Sequence, residues 1–390
     1  MAEAECDGVR AAERAPAPVK HRMLYLDNLK VFLISLVIIH HAGQPYGSYA
    51  GDWPIHQVSV PQINELLLGW LFTVDATFFM GLFFLVSAYF LPKSFDRKGA
   101  IQYIKDRLLR LGLPIPLLVL LAFPLVGFLV YSGNTSLWNY LTGVYFNFAP
   151  GGTFTFGYLW FVVWLLVFSC GYAIYLVLTN RLPRPSKKLA VPGHIAIIGF
   201  AAVLAAASFL VRIWFPSGDW IFYHLLEPAR LPQYALLFTI GILAYRNDWI
   251  GRMPWKTAKI WGLVAVVAII GFPVLYLAFG DPMWTGGISL PSLALCVWEA
   301  FLGTGLAVAL PVFFRERLNF QGKILKTMSL NVYPVYLIHV PLLIGLQAAL
   351  QAVNIPPLLK FALVAILGIP LCFLTSEYLI RKIPHAQSVL

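Results

Sequence analysis

Charge is scarce in this chain. Asp, Glu, Lys and Arg make up 12% of its 390 residues, about half the share of an ordinary soluble domain. Cysteine is scarce too. Cys6, Cys170, Cys296 and Cys372 are scattered and form no CxxC pair, which excludes a disulfide-stapled secreted scaffold. Three of them lie in apolar runs and read as small core residues. Several catalytic signatures are missing: a Walker loop, a Gly-rich dinucleotide turn, HExxH, GxSxG and an Asp-His-His-Cys run. What is abundant is apolar surface. Hydrophobic residues make up 59% of the chain, and the mean hydropathy is +0.76. A soluble globule of this size has too little interior to hide that much apolar area. A cytosolic enzyme and a disordered protein are therefore excluded, and an integral membrane protein is implied.

Residues 1–22 carry Arg, Glu, Lys and Pro with little apolar content and read as a solvated tail. The apolar run after Arg22 continues past the length of a signal peptide. Ten apolar segments of spanning length follow, at 24–45, 69–92, 111–132, 157–179, 192–214, 231–246, 258–279, 293–314, 328–350 and 358–381. The expected fold is all-α and polytopic: one transmembrane domain over 23–383, a disordered tail at 1–22 and a short tail at 384–390. No connection is long enough for a separate soluble domain. The uncharged, aromatic-rich stretch Thr135–Phe156 is expected in the interface or over a cavity mouth.

The net charge of +11 follows topology rather than pointing to nucleic acid. With both termini placed in the cytoplasm, all but three of the 28 basic residues fall on the inner side; the exceptions are Arg212, Arg230 and Lys360. That is the positive-inside asymmetry of an even number of spans.

Ionisable groups within spanning helices are expensive and usually face a cavity and a partner. Here they are Lys30, His40, His41, Asp75, Arg212, Glu299, His339 and Glu377. In LDNLKVFLISLVIIHHAG, Lys30 and His41 are eleven residues apart. They share a helical face about 16 Å apart along the axis, with His40 turned roughly 80° away. His41 is the candidate base and His40 its neighbour. In RLLRLGLP, Arg107 and Arg110 share a face at the inner connection. Paired guanidiniums there suit either a phosphate-bearing ligand or anchoring to the membrane surface. In SLNVYPVYLIHVP, Tyr333, Tyr336 and His339 recur every three residues, while Pro334 and Pro341 are expected to free backbone carbonyls. Asp75 and Glu299 are candidates to orient a histidine, to neutralise an arginine or to be held protonated by burial, and Arg212 has Asp219 close in sequence.

Four stretches taken in order, LDNLKVFLISLVIIHH, RLLRLGLP, GYLWFVVWL and SLNVYPVYLIHVP, resemble the motifs of the acyltransferase-3 family of integral membrane acyltransferases. LFTIGILAYRNDWI between the last two strengthens the resemblance. It implies acyl-CoA as donor substrate and an acceptor hydroxyl, often on a carbohydrate. It places the family's catalytic histidine on His41, its arginine pair on Arg107 and Arg110, and its final histidine on His339. Lys30 stands where the family has arginine, keeping the charge but losing the planar fork. Tyr158 stands where the family has histidine.

On this reading Lys30, Arg107 and Arg110 serve the CoA, and His41 takes the proton of the attacking hydroxyl. Tyr333, Tyr336 or His339 is the candidate donor to the developing oxyanion. Both direct transfer and an acyl-imidazole intermediate fit. No metal is expected. A secondary transporter of glycans or lipid-linked substrates, or a sensor on the same fold, would also bring polar groups to mid-membrane.

Overall fold

The computed structural model describes residues 22–47, 53–57, 59–131, 135–149, 152–179 and 188–384. Apart from Arg22 and Pro384, the tails expected at 1–22 and 384–390 lie outside the described residues. Among the described residues the chain is helical and contains no strand. It opens with α1 (Leu24–Gly43), α2 (Gln62–Tyr89) and α3 (Leu91–Arg107). A π-helical turn at Leu108–Gly112 leads into α4 (Pro114–Leu117), and a second at Leu118–Ala122 leads into α5 (Phe123–Tyr131). After α6 (Leu137–Tyr140) come α7 (Trp160–Leu178), α8 (His194–Arg212), α9 (Leu231–Asn247) and α10 (Trp249–Arg252). α11 (Trp255–Phe279), α12 (Leu290–Arg317), α13 (Lys323–Gln351) and α14 (Pro357–Tyr378) complete the bundle.

Nine helical stretches among the described residues are long and apolar enough to cross a membrane. This is one fewer than the sequence suggests, and the difference is α9. Its 17 residues rise about 26 Å on their own, and the 3-10 turn Pro228–Arg230 directly before it extends the stretch to roughly the 30 Å of the hydrocarbon core. α9 packs against α2 and α8. The contact with α2 is close because Gly241 has no side chain: a Cβ there would strike the backbone carbonyl of Leu85. The periphery is apolar, as a bilayer demands. Leu129 is 81% exposed and Leu277 is 85% exposed, positions that water would penalise and lipid favours.

α1 is the hub of the fold. It packs against α2, α12, α13 and α14, and Leu26, Leu29, Leu33, Ile34 and Ile38 are wholly buried. A polar side chain on such a helix meets protein rather than lipid. The described parts of the stretch 135–156, residues 135–149 and 152–156, pack among themselves and against the connection that follows α8. Tyr145 packs edge-to-face on Phe146, and Phe154 packs on Tyr223 of the 213–230 connection. The backbone N–H of Phe156 donates to Tyr223 O at 2.9 Å.

Candidate active site

His41 sits near the end of α1, where the helix has begun to run out of backbone partners. Its Nδ1 is 2.8 Å from the carbonyl oxygen of Val37, one turn back. A carbonyl only accepts, so Nδ1 carries the hydrogen and Nε2 presents a lone pair. The backbone is held independently of the ring. Gln347 of α13, 1% exposed, donates through Nε2 to the carbonyls of His41 (3.0 Å) and Ala42 (3.3 Å). Its Oε1 accepts from Trp53 Nε1 at 2.9 Å. The Trp53 ring in turn lies against His41, with centroids 5.5 Å apart.

His339 arrives from α13. It is fully buried, and its ring stands edge-on to His41 at a centroid distance of 5.0 Å. Its Nδ1 lies 2.7 Å from Tyr336 O, which assigns the hydrogen to Nδ1 by the same logic. Nε2 has no hydrogen-bond partner. Two imidazoles thus meet with both Nε2 atoms as acceptors. A neutral His339 in this tautomer cannot donate to an oxyanion through Nε2.

The tyrosines form the wall below. Tyr158 packs against His339 (5.0 Å between centroids) and donates through its hydroxyl to Leu337 O at 2.7 Å. That oxygen is available because Pro341, four residues on, has no N–H to offer. The same device recurs at Pro114, which leaves Arg110 O to accept from the Tyr333 hydroxyl at 2.6 Å. Tyr336 donates to Tyr158 O. All three phenolic hydrogens are thereby committed to backbone carbonyls. In this arrangement Tyr336 braces the Tyr158–His339 wall.

Arg107 and Arg110 come together as expected. With Ser94, Arg97, Lys98, Asp106 and Leu109 they line a cavity of about 340 Å³ at the basic end of the bundle. Asp106 is held by Lys98; Arg97, Arg107 and Arg110 add three further positive charges to the lining. Arg107 stacks over Tyr103 (5.1 Å) and Arg110 over Tyr333 (5.6 Å). The π-helical turn carrying Arg110 is a feature common at functional sites. Neither His41 nor His339 lines this cavity. The interval is filled by the stripe Tyr333–Tyr336–His339, which runs about 9 Å along α13. Lys30 stands apart from the cavity lining. It pairs with Asp27 at 2.7 Å, as Arg22 also does, and lies 5.2 Å from the Phe90 ring centroid at the start of α3.

A family model described as an acyltransferase domain, acyltransferase 3, matches residues 23–377. The chain belongs to the acyltransferase-3 family. No curated protein and no solved structure gives a significant match to it. Membership implies acyl transfer, and the apolar helices make this acyltransferase-3 protein a multi-pass membrane protein.

The remaining ionisable groups find partners that linear spacing did not show. Arg212 pairs with Glu299 of α12 rather than with the nearby Asp219, and Arg230 lies 3.6 Å from the same carboxylate. Asp75 faces His40. Glu377 pairs with Arg381 and accepts from Asn331, both at 2.6 Å. Among the described residues no group of three His, Cys, Asp or Glu side chains is placed to hold a metal ion. Sequence reasoning in this acyltransferase-3 protein missed Trp53 and Gln347. Neither is ionisable, and the one signal was a lone glutamine inside an apolar stretch. It also missed Arg97 and Lys98, which read as part of the general basic excess.

Proposed function

We propose that this protein moves an acyl group, such as acetyl or succinyl, from acyl-CoA to a hydroxyl of a carbohydrate or similar acceptor, with His41 as general base. The observation that carries this reading is the His41 tautomer: Val37 O takes the Nδ1 hydrogen and leaves a basic Nε2 beside His339. The loop charges support a cytoplasmic location for both termini and for the Arg107–Arg110 cavity. The location proposed with it is the cell's inner or plasma membrane.

The guanidiniums and Lys98 bind the CoA phosphates through charge-assisted hydrogen bonds. The acyl arm passes the tyrosine stripe, which must part to admit it. His41 Nε2 removes the hydroxyl proton as the oxygen attacks the thioester carbonyl, and the unpartnered Nε2 of His339 accepts a hydrogen bond from a neighbouring hydroxyl of the acceptor. When the C–S bond breaks, the proton on His41 passes to the CoA thiolate. The base is then restored and no proton is gained or lost.

Two experiments test this. Mass spectrometry of surface glycans and small metabolites, with and without the protein, should show a mass increment equal to one acyl group on a hydroxylated species. Arg107→Ala should raise the KM for acyl-CoA by roughly 10- to 100-fold, the worth of one hydrogen bond to a charged group, with kcat little changed. An effect confined to the acceptor KM would remove Arg107 from the donor site.

A further inference from the structure

One pair of ionisable groups, a buried carboxyl and a part-buried imidazole, has no part in that mechanism. Asp75 of α2 is 3% exposed, and Nδ1 of His40 lies 3.7 Å from its Oδ2. Neither atom has a hydrogen-bond partner. Phe72 and Phe79 hold the His40 ring at centroid distances of 4.6 and 5.2 Å. The ring stands edge-on to His41 at 5.5 Å. The α2 backbone beside Asp75 is clamped from α9 and the turn before it. Arg230 donates to Ala76 O at 3.1 Å and Gln233 to Thr77 O at 2.5 Å. A carboxyl group this deep in a bundle is costly and is kept where it faces a partner. Glu299 answers to Arg212 and Arg230, whereas Asp75 answers to the imidazole that adjoins the base.

Resting on the reading of His41 as base, we propose that Asp75 and His40 are its positioning pair. The carboxylate orients the His40 ring, whose edge fixes the rotamer of His41. Together they form a preorganised array behind the imidazolium that His41 becomes during transfer. Water is scarce there, so a negative group one ring behind a forming cation lowers the barrier where solvent cannot. The proton still moves only from hydroxyl to His41 Nε2 and on to the thiolate; Asp75 and His40 neither gain nor lose one.

The test uses the full-length protein in lipid, with acyl transfer kinetics measured for Asp75→Asn, Asp75→Glu, His40→Gln and the Asp75→Asn/His40→Gln double variant. Each neutral single variant should lower kcat by about 10- to 100-fold, the scale of a slightly misplaced catalytic group, with the acyl-CoA KM near native. The double variant should be no worse than the weaker single one, because the two act as a unit. Asp75→Glu keeps the charge and should retain more activity than Asp75→Asn, which keeps the size; a purely structural role reverses that order. Should one variant fail to fold, the other position carries the test. Native kcat in the single variants, or losses that multiply in the double, overturns the proposal. His41→Ala run in parallel separates the two readings. Native turnover there ends the base assignment itself. An inactive His41→Ala beside fully active Asp75→Asn and His40→Gln ends only the positioning role.

Discussion

Replacing His41 with alanine is expected to lower the rate of acyl transfer by about 10²- to 10⁴-fold, the usual worth of a positioned general base. The substitution is a clean probe because the fold does not lean on the imidazole. Gln347 ties α13 to α1 through the backbone carbonyls of His41 and Ala42. Those bonds survive in His41→Ala, and so does the indole bond between Trp53 and Gln347. What disappears is a proton acceptor and a ring between Trp53 and His339. The loss should therefore appear in kcat at saturating acyl-CoA, with the thermal unfolding midpoint of the detergent-solubilised protein shifted little. Unchanged turnover would mean that another group takes the proton.

The second large effect concerns stability rather than chemistry. Arg212 is 1% exposed and its carboxylate partner is Glu299. Glu299→Ala strands that guanidinium, while Arg230 keeps Glu227 at 3.2 Å. Breaking a buried ion pair from one side typically costs about 3–5 kcal/mol, a large part of the stability of any domain. Glu299→Ala protein is expected to unfold at a markedly lower temperature or fail to accumulate in membranes. Arg212→Met combined with Glu299→Leu removes both charges and keeps bulk, so it should be more stable than Glu299→Ala alone. Thermal unfolding followed by size-exclusion chromatography distinguishes the three proteins. A single variant as stable as the native chain would show that the pair contributes little.

Much of the bundle was legible because spanning helices announce themselves by length and apolarity. The expected segment at 231–246 matches α9 nearly residue for residue, yet its shortness only gains meaning once α9 is seen packed against α2 and α8. Helix extensions were illegible. α2 begins at Gln62 rather than near 69, because Gln62, Asn64 and Glu65 dilute the apolar signal while the helix continues through them. Within one helix, spacing spoke clearly: the Tyr333–Tyr336–His339 stripe is a stripe. Between helices it was silent. Nothing in the order of residues brings His41 to His339, pairs His40 with Asp75 or pairs Arg212 with Glu299. Tyr158 shows the same limit. Read as a departure from the family's histidine, it gave no reason to expect a role. Its ring nonetheless walls in His339, anchored to a carbonyl that Pro341 sets free. Both residues were visible in the chain; their meeting was a property of packing. Lys30 illustrates the converse, since its partner Asp27 stands three residues before it on the same helix, where spacing can be read.

The most direct test is to incubate the purified protein, in lipid, with radiolabelled acyl-CoA and a panel of hydroxylated acceptors. Transfer through His41 predicts that label leaves CoA for an acceptor or for water, and that His41→Ala protein releases it orders of magnitude more slowly. Label that stays on CoA whatever acceptor is supplied, or that leaves equally fast from His41→Ala protein, contradicts it.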